Sequence, residues 1–158
     1  MLKLLGCVLV AAFCCGAAVE TRRRDAAKMA RIDGFLRLVA FARSEVDCFL
    51  TPQGRILERC GSEMLSECGW YSAAPPRDLT SLVRQSRQEL DGGAYRVLLP
   101  FAAAFGRGFR EEQLKMCDDC AAELDSIRRE LEGDLPRRRR AFLSVVICAA
   151  AAAALILF

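Results

Sequence analysis

The chain has 158 residues, 53% hydrophobic and 27% charged, with 23 Lys+Arg, 20 Asp+Glu and no histidine. That composition excludes a disordered tail and a collagen-like fibre, and the lack of histidine removes the commonest general base, every Ser-His or Cys-His nucleophile pair and the usual zinc-enzyme ligands. Two apolar runs, 16 residues from Leu4 to Val19 and 18 from Ala141 to Phe158, leave 121 residues, 20–140, for a soluble body, enough for one modest core and too few for a two-domain enzyme.

A helix rises about 1.5 Å per residue, so 16 to 18 residues reach roughly 24–27 Å, just under a ~30 Å hydrocarbon layer. Residues 1–19 and 141–158 are each expected to be one minimal transmembrane helix. Arg22, Arg23 and Arg24 follow the first run, and Arg137, Arg138, Arg139 and Arg140 precede the second. Positive charge on the inner flank of both runs places 20–140 in the cytoplasm, with both termini across the cell membrane. The rival for the first run is a cleaved signal peptide, since Lys3, a short apolar stretch and the small residues Cys15 and Ala17 fit it loosely. Three arginines directly after the run oppose that reading.

From Asp25 to Pro136 there are 15 Lys+Arg against 19 Asp+Glu. The excess positive charge therefore sits beside the apolar runs, where it serves a membrane surface. A nucleic-acid partner would need the basic stripe on the folded body, which is mildly acidic instead.

The first helix of the body is read over Asp25–Leu50: Ile32, Phe35, Leu36, Val39, Ala42, Val46, Phe49 and Leu50 follow steps of three and four, and Leu38 and Phe41 widen the face. Thr51-Pro52 restarts the chain as N-cap and first-turn proline, and one helix is expected to Cys68, with Ile56, Leu57, Cys60, Met64 and Leu65 inward. After the Ala74-Pro75-Pro76 linker, Asp78 caps a third helix to Leu90, which Asp91-Gly92-Gly93 ends. Ala94–Phe105 is a fourth, with Tyr95, Leu98, Leu99 and Phe105 apolar and Pro100 a point of kinking. Gly106-Arg107-Gly108 turns into a fifth, Arg110–Glu132, with Leu114, Cys117, Ala121, Leu124, Ile127 and Leu131 on one side and Arg128 interrupting the seam. No stretch alternates with period two long enough for a strand. The fold class is all-α, an antiparallel helical bundle flanked by one amino-terminal and one carboxy-terminal transmembrane helix.

Little in the body carries chemistry. Cys48, Cys60, Cys68, Cys117 and Cys120 lie outside the apolar runs; in a cytoplasmic body they are reduced, and an odd number suits a disulfide framework poorly. Cys117 and Cys120 have CxxC spacing and, with Cys60 and Cys68, sketch a zinc site, so a cysteine-based metal- or redox-active membrane protein is the alternative function. Their place inside amphipathic helices, with no preceding strand, favours buried small hydrophobes. Glu111, Glu112, Asp118, Asp119 and Glu123 read as a solvated face, and Trp70-Tyr71 as a cover for the bundle's end. No catalytic residue, metal, cofactor or small-molecule substrate is expected.

The start Met1-Leu2-Lys3-Leu4-Leu5-Gly6, the arginine cluster and long helix behind it, Thr51-Pro52, Gly106 followed by Arg110-Glu111-Glu112-Gln113-Leu114-Lys115, and the closing apolar run resemble in order and length the stage III sporulation protein AB family of endospore-forming bacteria. Ala141-Phe142-Leu143-Ser144 stands where that family usually has a Leu-Gly pair, and 69–93 departs from its pattern. The resemblance implies a non-enzymatic platform on the mother-cell side of the complex joining mother cell and forespore, similar to the cytoplasmic helical domain of type II secretion platform proteins. It implies a secretion-type ATPase, stage III sporulation protein AA, as cytoplasmic partner and other membrane subunits of the channel complex as neighbours. Arg110, Glu111, Glu112, Gln113 and Lys115 are the residues expected to make the partner contact.

Overall fold

The computed structural model describes the main chain of residues 2–49 and 53–157 and the side chains of residues 16, 19–48, 55–134 and 144. Its elements are α1 (Leu2–Phe49), α2 (Gln53–Arg59), α3 (Ser62–Glu67), α4 (Leu79–Gln85), a 3-10 turn (Ser86–Gln88), α5 (Gly92–Ala104) and α6 (Arg110–Leu157). No strand occurs among the described residues, so the all-α class follows the hydrophobic spacing. Among the described residues no helix is long and apolar enough to cross a membrane; the two runs read as spans fall almost wholly outside the described side chains. The chain divides into two compact units, one of 1–26 with 130–158 and one of 27–129.

The unit of 27–129 holds a continuous apolar core. From α1 it takes Ile32, Phe35, Leu38, Val39, Ala42 and Val46, all buried. Leu36 and Phe41 are only partly buried, because a turn of 3.6 residues carries them to the margins of that stripe. Phe49 and Leu50 lie outside the described side chains. Facing residues are Ile56, Leu57, Leu65, Leu79, Leu82, Val83, Leu98, Phe101, Phe105 and Leu124, each worth about 1.5–3 kcal/mol relative to exposure.

Four boundaries differ from the sequence reading. The single helix expected to Cys68 is two, α2 and α3; Gly61, extended at φ −59°, ψ 147°, separates them, and glycine in a helix interior costs about 1 kcal/mol relative to alanine. Asp78 caps α4 by accepting from the Ser81 N–H at 2.6 Å, but α4 gives way to the 3-10 turn at Ser86, whose buried hydroxyl donates to the Leu82 and Cys68 carbonyls. Asp91, read as part of a stop, is the N-cap of α5, accepting from the Gly93 N–H at 2.7 Å. Pro100 stays within α5 on its exposed side, although it supplies no N–H to the helix. α6 starts at Arg110 as expected but continues past Glu132; Gly133 and Pro136 weigh against a helix without forbidding it.

One arginine ties three segments together. Arg31 on α1 donates from Nη1 to the Ser66 and Glu67 carbonyls, both at 2.6 Å, and from its other nitrogens to the Glu89 carboxylate and the Tyr71 hydroxyl. The two carbonyls belong to the last turn of α3, where the negative end of the helix dipole favours a cation. α3 itself ends in a Schellman motif, with Gly69 N–H to Ser66 O at 3.0 Å and Trp70 N–H to Leu65 O at 2.9 Å. Gly69 has φ +95°, a conformation that suits glycine.

Candidate partner-binding surface

The turn between α5 and α6 presents the residues that sequence reading singles out. Buried Phe105 closes α5, Gly106 takes φ +86°, and Phe109 occupies the position before α6. Glu112 accepts from the Phe109 N–H at 3.3 Å, the half of a capping box that reaches back from the third helical residue. The Gln113 N–H meets the Phe109 carbonyl at 3.0 Å, and its side-chain amide donates to the Gly108 carbonyl at 2.9 Å. Arg110 donates to the Asp47 carboxylate and, at 3.1 Å, to the Asp47 carbonyl in the last turn of α1.

Arg110, Glu112 and Gln113 thus each have one side-chain polar atom engaged within the chain. Glu111 and Lys115 are exposed and have no ion-pair partner among the described residues. Between Gly108 and Arg110 the ring of Phe109 is 81% exposed on this braced turn. Burying such a ring in a partner is worth about 1.5–3 kcal/mol, and aromatic anchors dominate protein interfaces. Sequence reading passed over Phe109; the available signal was an aromatic residue at a helix-capping position, where Ser, Thr, Asp or Asn would be usual.

Arg22, Arg23 and Arg24 are exposed on α1, with Arg24 paired to Glu20 at 2.9 Å. Arg137, Arg138, Arg139 and Arg140 lie outside the described side chains. Trp70 donates its indole N–H to the Ala74 carbonyl at 2.7 Å and is half-buried, whereas the Tyr71 ring is exposed with its hydroxyl on Arg31.

The cysteines divide by burial. Cys48 is exposed; Cys60, Cys68, Cys117 and Cys120 are buried. Burial pushes Cys60 and Cys117 up to about 11 and Cys68 and Cys120 up to about 12, the direction opposite to that of a reactive or metal-binding thiolate. Among the described residues no group of three or more Cys, Asp or Glu side chains is arranged to hold a metal ion. A void of about 10 Å³ lies between Phe35, Leu38, Ile56, Leu98 and Phe105, near the smallest space that holds one water, and its lining is apolar.

The family model described as stage III sporulation protein AB matches residues 3–158. That match includes 69–93 and the stretch from Ala141, where the sequence departs from the expected pattern. No curated protein and no solved structure is a match to this chain.

Proposed function

The chain belongs to the stage III sporulation protein AB family, and from that premise we propose that it is a membrane-anchored, non-enzymatic platform of the complex between mother cell and forespore. In this reading 1–19 and 141–158 are the membrane spans, and the arginine clusters beside them hold the helical body in the mother-cell cytoplasm. The body couples a cytoplasmic secretion ATPase of the stage III sporulation protein AA type to the channel's membrane subunits. The ATPase supplies the chemistry, and the platform supplies position.

The observation that carries this reading is the family match over 3–158. The partner surface is assigned to the α5–α6 turn because Phe109 is exposed there beside Glu111 and Lys115, on a backbone fixed by Arg110, Glu112 and Gln113. Deletion of the gene should arrest sporulating cells after engulfment, with forespores that stay small or collapse. The ATPase should co-purify with the full chain and be lost with Phe109→Ala combined with Lys115→Glu. Normal spores from the deletion strain would sink the platform role; undiminished co-purification by the double variant would move the contact elsewhere.

A further inference from the structure

Among the arginines of the 27–129 unit, some are paired within the chain and some are not. Arg31, Arg37, Arg43, Arg59, Arg110 and Arg128 each hold a carboxylate within the chain. Arg77, Arg84, Arg87, Arg96 and Arg107, on the segment 77–107 that includes α4 and α5, are exposed and form no ion pair among the described residues. The acids of that segment are already committed: Asp78 to the cap of α4, Asp91 to the cap of α5, and Glu89 to Arg31. Some of them lie near one another. Arg84 and Arg77 both act on the Asp78 carboxylate, and the Arg87 guanidinium reaches from the 3-10 turn to α5, 5.5 Å from the centre of the Tyr95 ring; Arg96, also on α5, donates to the Gly92 carbonyl at 3.3 Å.

α6 carries the opposite surplus. Asp118 is held by Arg43 and Asp125 by Arg128 and Arg129, but Asp119 and Glu123, one turn apart and exposed, have no cation partner among the described residues. We propose that the arginine face of α4 and α5 docks on the Asp119–Glu123 stripe of α6 of a second copy of this chain. Guanidinium groups pair with carboxylates through two planar donors, and here the chain itself supplies both halves. An anionic bilayer would use the arginines and give the acidic stripe no part, which is why a second copy is the occupant. The interface gives charge-steered, salt-sensitive association.

The experiment is sedimentation of the detergent-solubilised full chain over a concentration series. Arg84→Glu/Arg87→Glu/Arg96→Glu has two acidic faces, and Asp119→Lys/Glu123→Lys has two basic ones. Each alone should self-associate about tenfold or more weakly than the parent chain at low salt, the parent should weaken similarly on raising salt from 0.05 to 0.5 M, and an equimolar mixture of the two variants should recover association. Recovery on mixing excludes a trivial loss of folding. A parent chain that stays monomeric, variants that associate like the parent, or a mixture that does not associate would overturn the proposal. If only the arginine variant loses association, the acidic stripe is not the docking surface and the proposal equally fails. Phe109, Glu111 and Lys115 are untouched in both variants, so this outcome is separable from that of ATPase binding.

Discussion

Arg110, the first residue of α6, closes the last turn of α1 by donating to both the carboxylate and the main-chain carbonyl of Asp47, 63 positions earlier. A carbonyl in that turn has no helical donor, and a guanidinium beside it also favours the negative end of the helix dipole. One of the five residues expected to make the partner contact is therefore a brace between two helices. Arg110→Glu should lower stability by about 0.5–1.5 kcal/mol, a modest figure because both side chains are over a third exposed. Glu111→Lys and Lys115→Glu, which break no ion pair, should stay within about 0.5 kcal/mol. Urea unfolding separates these cases; equal effects at all three positions would contradict the brace.

The helical class and most of the core stripe were legible because burial is written as a period: Ile32, Phe35, Val39, Ala42 and Val46 recur at helical steps and are buried. The caps at Asp78 and the start at Arg110 were legible because their chemistry is local. The break at Gly61 and the role of Asp91 as a cap were harder, since glycine and aspartate mark both the end of one helix and the start of the next. The turn between α5 and α6 was legible as a segment, but which of its side chains are engaged within the chain was not. Whether Arg110 or Lys115 is free depends on Asp47, a pairing across 63 residues that no local pattern encodes.

Arg31 makes a sharper case, because its side chain is 13% exposed and serves four acceptors. Arg31→Met should cost about 2–4 kcal/mol, leaving the Glu67 carbonyl and the Glu89 carboxylate without this donor and the Ser66 carbonyl with the Gly69 N–H alone. Arg31→Lys should recover less than half of that, since one ammonium cannot span the planar fork that reaches both α3 and Glu89. Full rescue by lysine in thermal unfolding would show that charge alone matters there.

Gly34 on α1 lies directly against the main chain of Glu67 at the end of α3. A β-carbon at this position would lie 2.8 Å from the Glu67 carbonyl oxygen and 2.9 Å from its carbon, both main-chain atoms that Arg31 also holds in place. Gly34→Ala should therefore destabilise by about 1–3 kcal/mol despite the better helix propensity of alanine. At Gly92, where a β-carbon meets nothing within 4 Å, the same change should be neutral or stabilising by up to about 1 kcal/mol. Matching midpoints for the two variants in chemical denaturation would refute the close contact.

Acid should act on the cap of α4. The Ser81 hydroxyl and N–H hold the Asp78 carboxyl below its usual range, as Arg43 does for Asp118. A folded value below the unfolded one, about 3.9, means the contribution is complete above that pH and is lost as the pH falls through the folded value. Asp78→Asn keeps the capping oxygen but does not titrate, so its melting temperature should fall less than that of the parent chain between pH 5 and pH 3. Parallel falls would assign the acid sensitivity to other carboxylates.

The buried thiols should respond at the other end of the scale. Cys68 and Cys120 are pushed up to about 12 by burial, against an unfolded value near 9. The core tolerates only the neutral thiol, so their contribution is full below the unfolded value and declines as the pH rises from about 9 towards 12, where the unfolded chain gains by ionising first. In the folded chain a thiol-alkylating reagent at pH 8 should modify Cys48 about tenfold or more faster than Cys60, Cys68, Cys117 or Cys120, because only Cys48 among these five is exposed. Peptide-level mass spectrometry reads each site separately. Comparable labelling of Cys117 and Cys120 in the native protein would mean that the CxxC face of α6 opens to solvent, and the packing of α6 against α1 would then have to be revised.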